Sequence, residues 1–268
     1  MTEASCVVAV DVGNSAIKLC TRKDNEVVDH SIGMHQSDWH RDAVAWAQGQ
    51  LGCRDAYWRI GSVHRQAADK LESYLRDNQK REPDRQTSIH RITRKDVPMK
   101  VDVDDPDRLG IDRLLSGYAA SNRFDGPLVV VDAGSAVTVD WVDTAKTFCG
   151  GAILPGLRMQ TAALAAGTDA LPEIDWQQSV DMTAPATNTV DAIRLGVLSA
   201  VVGAIEVLTD QYHSDQHHPP GDEPSEPIRI ILTGGDSPLL SKSLRRKHKL
   251  LPNMVCHGLL DLPKNSKR

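Results

Sequence analysis

A short segment near the N-terminus recurs almost half a chain later. The first copy, Val-Asp-Val-Gly-Asn-Ser-Ala-Ile-Lys-Leu, starts at Val10, and the second, Val-Asp-Ala-Gly-Ser-Ala-Val-Thr-Val-Asp, starts at Val131. Their aspartates, Asp11 and Asp132, lie 121 positions apart in a chain of 268 residues. Each copy joins two apolar stretches through a glycine turn. Because an internal repeat constrains the whole fold, we expect two similar lobes with a central cleft.

The rest of the chain alternates between strand-like and helix-like segments. Short apolar runs bounded by glycine or aspartate predict strands over residues 6–10, 16–20, 56–60, 128–131, 136–141 and 228–232. Apolar residues at three- and four-residue spacing predict helices over residues 37–50, 65–78, 112–124 and 190–208. This mixture indicates an α/β fold. We expect an N-terminal lobe over residues 1–125 and a C-terminal lobe over residues 126–268.

Composition excludes several classes of function. The formal charge of −5 argues against nucleic acid as the main partner, because phosphate binding usually needs a basic surface. The longest apolar stretch, residues 193–205, contains Arg194 and is too short to cross a membrane. The N-terminus lacks the charge and the apolar run of a signal peptide. Five scattered cysteines without a Cys-x-x-Cys pair are interpreted as reduced thiols of a cytoplasmic protein: Cys6, Cys20, Cys53, Cys149 and Cys256.

The first copy of the repeat suits phosphate chemistry. Gly13 can take a positive φ and has no Cβ, so a bulky anion can approach the backbone. Asn14 and Ser15 offer hydrogen-bond donors, as in an anion-binding nest. Asp11 is placed to hold Mg²⁺ directly or through water, and Lys18 supplies a positive charge for phosphate. The alternative is an ordinary hairpin turn with a surface lysine.

The second copy has no lysine. Asp132 and Ser135 are expected to complete phosphate and cation binding from the second lobe, rather than to duplicate the first site.

A third cluster, Gly-Ile-Asp-Arg, begins at Gly110 and opens a predicted helix. Asp112 in the first turn would be favoured by the helix dipole, which is sufficient to explain it as a structural acid beside a surface arginine. The functional interpretation makes Asp112 a base that accepts a proton from a substrate hydroxyl. Arg113 would then bind a carboxylate or a phosphate, because its guanidinium suits planar, bidentate recognition.

Four further segments are distinctive. Glycine-rich turns are predicted at residues 150–156 and 233–236, each leading into a helix where backbone can approach a nucleotide. Residues 211–227 are rich in proline, histidine and acidic residues and predict a mobile loop. Residues 242–249 are basic and are interpreted as the solvated face and end of a helix.

The chain resembles the type III pantothenate kinases. An ordered set of motifs carries this resemblance: the two Asp-x-Gly turns, Gly-Ile-Asp-Arg, Gly-Gly-Ala-Ile-Leu-Pro-Gly, Asn188-Thr189 and Thr-Gly-Gly. These kinases belong to the actin/hexokinase/Hsp70-like phosphotransferases, which implies a duplicated actin/ribonuclease H-like fold. The resemblance spans nearly the whole chain. It implies ATP-dependent phosphorylation of pantothenate to 4′-phosphopantothenate, the first step of coenzyme A synthesis. It also implies a cytoplasmic homodimer that needs Mg²⁺ or another divalent ion, and K⁺ or NH₄⁺.

The resemblance implies a role for each matching residue. The ATP phosphate loop would comprise Asp11, Val12, Gly13, Asn14, Ser15, Ala16, Ile17 and Lys18, with Ser135 as a second phosphate contact. Asp11 would lie near Mg²⁺, and Asp132 would bind the monovalent cation. The substrate loop would comprise Gly110, Ile111, Asp112 and Arg113, with Asp112 as the catalytic proton acceptor. Thr189 would contact substrate near the dimer interface, or share a helix cap with Asn188.

Two features depart from the family pattern. Members commonly carry a tyrosine seven residues before the glycine of Gly-x-Asp-Arg, where this chain has Val103, so we expect a remodelled pantothenate pocket. Ser15 and Ser135 stand where threonine is usual, and each keeps the hydroxyl. Three alternatives remain open: a sugar-type kinase of the same superfamily, a non-catalytic accessory regulatory relative, and a nucleotide-dependent scaffold of the actin or chaperone kind.

Overall fold

The computed structural model describes residues 6–24, 26–51, 55–82, 86–176, 184–214 and 227–263. The chain forms two compact units. The first comprises Met1–Lys100, Asp104–Asn122 and Asn253–Arg268. The second comprises Val101–Val103 and Arg123–Pro252.

The first unit is built on a five-stranded sheet in the order β3-β2-β1-β4-β5. Its strands are β1 (Cys6–Val12), β2 (Ala16–Lys23), β3 (Glu26–Gly33), β4 (Ala56–Ser62) and β5 (Thr87–Arg91). The first three strands form an antiparallel meander, whereas β4 and β5 run parallel to β1. Parallel pairing needs crossover connections, which α1 (Trp39–Gln50) and α2 (Arg65–Arg81) supply.

The second unit has a sheet in the order β10-β9-β6-β7-β8. Its strands are β6 (Leu128–Ala133), β7 (Ala136–Val142), β8 (Phe148–Pro155), β9 (Arg229–Thr233) and β10 (His248–Leu250). Its helices are α4 (Leu157–Gly167), α5 (Thr189–Ser214) and α6 (Ser237–Ser243). Again the first three strands are antiparallel, and the last two run parallel to the first.

The two sheets therefore share one plan. In each, the first strand is central, two antiparallel strands extend the sheet on one side, and two parallel strands extend it on the other. The prediction of two similar lobes from the repeat is confirmed, and the fold is a duplicated actin-like α/β fold.

The sheet of the first unit is covered on both faces. Alternate residues of β1, including Val8 and Val10, are fully buried against α1 and α2. The opposite face packs against α3 (Ile111–Ser121) and α7 (Met254–Asp261). Period-two alternation puts successive side chains on opposite faces, so the two helix pairs bury two different sets of strand residues.

The C-terminal helix departs from the expected lobe boundary. We assigned residues 126–268 to the second lobe, yet α7 belongs to the first unit. The reason is close packing against α3: a Cβ at Gly258 would lie 2.4 Å from the carbonyl oxygen of Leu115. Such a contact depends on residues distant in sequence, and local patterns carry no sign of it.

The helix α5, with the candidate span Thr189–His213, is long and apolar enough to cross a membrane by length and composition alone. It nevertheless supplies a large part of the core of the second unit. Ile193, Val197, Val201 and Ile205, spaced three or four residues apart, are buried against strands β6 and β7 and their neighbours. This spacing is that of a helix with one buried face.

Several local predictions need correction. Residues 150–155 form the end of β8 rather than a glycine turn, and the predicted helix over 112–124 ends at Ser121. Of the predicted loop over residues 211–227, residues 211–214 belong to α5, and residues 215–226 lie outside the described residues. The basic residues 242–249 do not form one helix: α6 ends at Ser243, and β10 begins at His248.

The cysteines differ in state. Cys20, Cys149 and Cys256 are free thiols, as expected. Cys6 is disulfide-bonded, so the interpretation of every cysteine as reduced is wrong for this residue. Burial raises the pKa of Cys149 to about 11, and a hydrogen bond with Cys20 together with burial raises the pKa of Cys256 well above its usual value. Thiols that stay protonated at neutral pH are poor nucleophiles.

Candidate functional site

The first repeat copy forms a tight turn between β1 and β2. The backbone N–H of Gly13 donates to the carbonyl of Ala16 over 3.1 Å. A Cβ at Gly13 would lie 3.1 Å from that same oxygen, a tight contact that a small shift of the backbone would have to relieve. Gly13 is not among the glycines with positive φ. The side chains of Asn14 and Ser15 are exposed at the tip of the turn. The turn can therefore present both side-chain and backbone donors to an anion.

The flanking residues of this turn differ in what they can offer. Val12 and Ile17 are fully buried in the core of the first unit. Only their backbone groups can therefore meet a nucleotide, and the same holds largely for Ala16, whose side chain is a single methyl group. Asp11, which is 8% exposed, pairs across the strands with Lys18. A carboxylate and an ammonium group thus share one face of the sheet beside the turn.

The second copy forms a shorter turn with different neighbours. The N–H of Gly134 donates to the carbonyl of Ala136 over 2.9 Å. Asp132 pairs with Thr138 on β7 and with Thr233 on β9, so the three side chains form a row across one face of the sheet. The hydroxyl oxygen of Thr138 is buried and has no hydrogen-bond partner. This row offers a carboxylate and two hydroxyls, all of them oxygen donors.

The loop after β9 closes against this row. Gly234 has a φ of +91°, and a Cβ there would lie 2.3 Å from the carbonyl oxygen of Ala133 and 2.5 Å from Oδ1 of Asp132. The N–H of Asp236 donates to the same carbonyl of Ala133 over 2.9 Å. The predicted glycine turn at residues 233–236 is therefore present, and its glycine allows backbone to approach the carboxylate of Asp132.

A third turn, between β8 and α4, also meets the second copy. The N–H of Gly156 donates to the carbonyl of Ser135 over 3.1 Å, and a Cβ at Gly156 would lie 2.3 Å from the carbonyl oxygen of Gly134. Arg158 in the first turn of α4 forms a salt bridge to Asp236, with 3.4 Å between Nη1 and Oδ1. Three loops thus converge around Asp132 and Ser135 in the second unit.

The carboxyl group of Asp236 is perturbed. Burial raises its pKa above the usual range, and the nearby Arg158 guanidinium opposes that shift. Sequence analysis assigned no role to Arg158, Thr138 or Thr233. The available signals were the position of Thr233 before two glycines and the position of Arg158 directly after the Pro-Gly-Leu of the third turn.

The Gly-Ile-Asp-Arg segment starts α3 in the first unit. Gly110 precedes the helix, and Ile111 is its first residue. Asp112 accepts a hydrogen bond from the N–H of Arg113 through Oδ1 over 2.9 Å. A Cβ at Gly110 would lie 2.5 Å from this same oxygen, so a side chain there would force the Asp112 carboxylate to move. Asp112 and Arg113 are both half-buried, as a group that must meet a small substrate needs to be.

Thr189 is the first residue of α5 and is exposed. Asn188 performs the capping: its Oδ1 accepts from the N–H of Asp191 over 3.0 Å, and its Nδ2 donates to that side chain over 2.7 Å. The cap that we expected the two residues to share is formed by Asn188.

The predicted site residues divide between the two units. Residues 11–18 and 110–113 belong to the first unit, whereas Asp132, Ser135 and Thr189 belong to the second. Among the described residues, no group of three or more His, Cys, Asp or Glu side chains could hold a metal ion. A divalent ion at Asp11 would therefore need ligands from substrate and water, which is how Mg²⁺ is usually bound beside phosphates.

Comparison with known proteins agrees with this architecture. The family model described as type III pantothenate kinase matches residues 7–211. The type III pantothenate kinase of Rhodopirellula baltica is 38% identical over 289 residues, covering 95% of this chain and 97% of that protein. The type III pantothenate kinase of Rubrobacter xylanophilus is 37% identical over 164 residues, covering 61% of each chain.

Among solved structures, a putative 2-dehydro-3-deoxygalactonokinase from Sinorhizobium meliloti shares the fold with a TM-score of 0.50. The two chains are 14% identical, and the match covers 97% of this chain and 99% of the other. The duplicated sheets and glycine turns define a protein of the actin-like class. The chain belongs, within that class, to the type III pantothenate kinase family.

Proposed function

We propose how this chain divides the reaction of its family among three elements. The chain is a pantothenate kinase, which transfers a phosphoryl group from ATP to the hydroxyl of pantothenate and so starts coenzyme A synthesis. The first repeat copy binds the phosphates, the second copy binds a monovalent cation, and the start of α3 binds pantothenate and accepts its proton.

The phosphate loop runs from Asp11 to Lys18, and Ser135 is the second phosphate contact. The exposed turn between β1 and β2 supports this assignment, because glycine there leaves the backbone open to a bulky anion. Lys18 lies opposite Asp11 in the strand register and neutralises phosphate charge. A divalent ion, which kinases of this kind use with ATP, neutralises further charge near Asp11 when it is bound.

Asp132 is the ligand for K⁺ or NH₄⁺. The row of Thr233, Asp132 and Thr138 supports the assignment, since hard cations prefer oxygen donors. The buried and unpartnered hydroxyl oxygen of Thr138 fits a site that gains a contact when it is filled. The corresponding row in the first unit holds Gly61, Asp11 and Lys18, so it offers one carboxylate and no hydroxyl.

Asp112 is the proton acceptor, and Arg113 binds the carboxylate of pantothenate. Phosphoryl transfer requires positioning and charge neutralisation more than covalent chemistry from the protein. The carboxylate of Asp112 accepts the hydroxyl proton late, once the P–O bond has been cleaved. The observation that carries the proposal is the placement of Asp112 in the first turn of α3, half-exposed beside Arg113, with Gly110 leaving room for its carboxylate.

The test is turnover with ATP, Mg²⁺ and K⁺ and a panel of hydroxyl substrates that includes pantothenate and sugars. We expect phosphorylation of pantothenate alone, and D112N should lower kcat about 100-fold or more with an unchanged circular dichroism spectrum. Near-normal kcat in D112N would remove Asp112 from the mechanism. Preferential phosphorylation of a sugar would favour the sugar-kinase alternative, and binding of ATP without turnover would favour the accessory one.

The homodimer and the role of Thr189 are part of the same proposal. The exposed side of α5 carries small residues at helical spacing, with Gly196, Ala200 and Val207 all exposed, and this supports close packing against a second copy. Thr189 at the start of this helix then contacts substrate near the interface. A200E should convert a dimer into a monomer in light scattering, and a wild-type chain that is monomeric at micromolar concentration would refute the dimer.

A further inference from the structure

A buried arginine holds the C-terminal helix in the first unit. Arg59 on β4 is 3% exposed, and no carboxylate of the described residues forms an ion pair with it. Its guanidinium instead donates to four backbone carbonyls at the end of α7: Leu259 at 2.7 Å, Leu262 at 2.8 Å, Pro263 at 3.0 Å and Leu260 at 3.5 Å. The last carbonyls of a helix lack intrahelical partners and carry a partial negative charge. Arg59 therefore satisfies and neutralises this helix end.

The position of Arg59 in the sheet connects it with the candidate site. Arg59 pairs with Ala9 on β1, two residues before Asp11, and therefore lies on the same face of the sheet as that aspartate. This is the face that α7 covers. Burial lowers the pKa of Arg59, but a guanidinium remains charged at physiological pH. A charge buried here without a helix end to neutralise it would be strongly unfavourable.

The helix α7 contacts both elements of this unit that carry proposed catalytic or binding residues, namely β2 at Lys18 and α3. Near its start, the thiol of Cys256 donates to the carbonyl of Lys18 over 3.5 Å. In its middle, Gly258 packs against the backbone of Leu115, less than one helical turn beyond Asp112. At its end, the carbonyl of Asp261 accepts a hydrogen bond from the hydroxyl of Tyr118 over 3.3 Å. A shift of α7 along its axis would therefore disturb β2 at Lys18 and α3 together.

Resting on the proposed function, we infer that Arg59 is a positioning residue for phosphoryl transfer, which fixes α7 and thereby the spacing between Lys18 and Asp112. It touches neither substrate. Its effect on the reaction passes through the helix end that it caps and the two contacts that this helix makes. Displacement of catalytic groups by about 1 Å can cost about 100-fold in rate, so even a small movement of α7 should appear in kcat.

The test compares R59Q with L75A. Leu75 is buried in α2 on the opposite face of the sheet, so L75A lowers stability without touching α7. Both variants are assayed well below their unfolding temperatures. We expect R59Q to lower kcat about 10- to 100-fold with KM for ATP within twofold of wild type, and L75A to keep wild-type kcat. R59K, which retains the charge and some of the donors, should recover part of the loss.

A second readout does not depend on activity. In R59Q or R59K, hydrogen exchange should accelerate in α3 and α7 while protection in α1 and α2 is kept, and L75A should show the reverse. If R59Q does not fold, R59K carries the same expectation with a smaller change. The inference is overturned if a folded Arg59 variant keeps wild-type kcat, or if α3 keeps its protection. Absence of pantothenate phosphorylation by the wild type would instead refute the proposed function, and the exchange experiment would still test the link from Arg59 to α3.

Discussion

The two copies of the repeat share a backbone plan and differ in what stands opposite the aspartate. In the first unit Asp11 lies between Gly61 and Lys18, whereas in the second Asp132 lies between Thr233 and Thr138. The first turn spans residues 13–15, and the second spans only residues 134–135. One duplicated scaffold therefore presents an ammonium group beside one carboxylate and two hydroxyls beside the other. The same backbone plan therefore carries different side chains at the positions that face the aspartate.

The largest expected effect comes from removal of the ammonium group. K18M should lower kcat about 100- to 1,000-fold, because a preorganised positive charge at the phosphates would be lost. The matched change in the second copy, T138V, should lower kcat by less than about tenfold at saturating K⁺. Steady-state kinetics of both variants measures the difference. Equal losses would mean that the two copies are not specialised in this way.

Asp132 and Asp11 should differ in which cation requirement of the enzyme their substitution changes. D132N should raise the K⁺ concentration needed for half-maximal activity more than about tenfold. The reason is that the row of Thr233, Asp132 and Thr138 would lose its one charged side chain. D11N should leave the K⁺ requirement unchanged and raise the requirement for Mg²⁺. Initial rates at constant ionic strength, with K⁺ replaced by a bulky organic cation, provide the measurement. A K⁺ requirement that D132N does not alter would defeat the assignment of the monovalent site.

Replacing glycine by alanine should cost different amounts of unfolding free energy in the two loops beside Asp132. G234A should lower the free energy of unfolding by about 3 kcal/mol, because its φ of +91° and its contact with Ala133 both oppose a Cβ. G134A should cost less than about 1 kcal/mol, since its Cβ would lie 3.8 Å from the nearest oxygen. Chemical denaturation of the two variants decides the point. Equal costs would show that the loop after β9 is not held tightly against the row.

The smallest effect concerns Asp236, which has no counterpart role in the first unit. Burial raises its pKa in the folded protein above the value of about 3.9 in the unfolded chain. Between these two values the folded state retains a proton that the unfolded state has released, so this group makes stability fall as pH rises. Above both values the penalty remains.

Thermal unfolding of D236N and wild type at several pH values above 4 should therefore diverge, with the variant gaining relative stability as pH increases. The loss of the Arg158 salt bridge reduces this gain, since Arg158 opposes the shift. A difference that stays constant across the pH range would contradict the assignment of a raised pKa. R158A removes the opposing charge and should therefore raise the pKa of Asp236 further. The stability of R158A should then fall more steeply with pH than that of wild type.

The sequence predicted the parts of the fold that local patterns determine. β1, β6 and their antiparallel partners are apolar runs beside glycine turns, and both turns form where expected. β3 escaped detection because it is an edge strand whose residues are mostly partly or fully exposed, as in Glu-Val-Val-Asp-His-Ser. β8 escaped detection because two glycines with positive φ, Gly150 and Gly151, interrupt its pattern. Edge strands need little apolar alternation, so their sequences carry a weak signal.

The candidate site divides in the same way. Asp11, Asp132 and Asp112 could be named as candidates because each lies in a short motif with a recognisable spacing. Thr138, Thr233 and Arg158 were not, since their relevance arises from strand register and loop packing. Arg59 is furthest from detection: its partners lie about 200 residues away and are backbone carbonyls, which any sequence would supply.

Because α7 closes the first unit, the sequence of that unit is interrupted by the second unit, which lies between α3 and α7. During synthesis, the ribosome would release β1 to β5 and α3 long before the helix that covers them, leaving their apolar surface open to solvent or to chaperones. The second unit, whose sheet is encoded without interruption, can assemble earlier. Substitutions that displace α7 should therefore disturb the sheet of the first unit, although that sheet lies far from α7 in sequence.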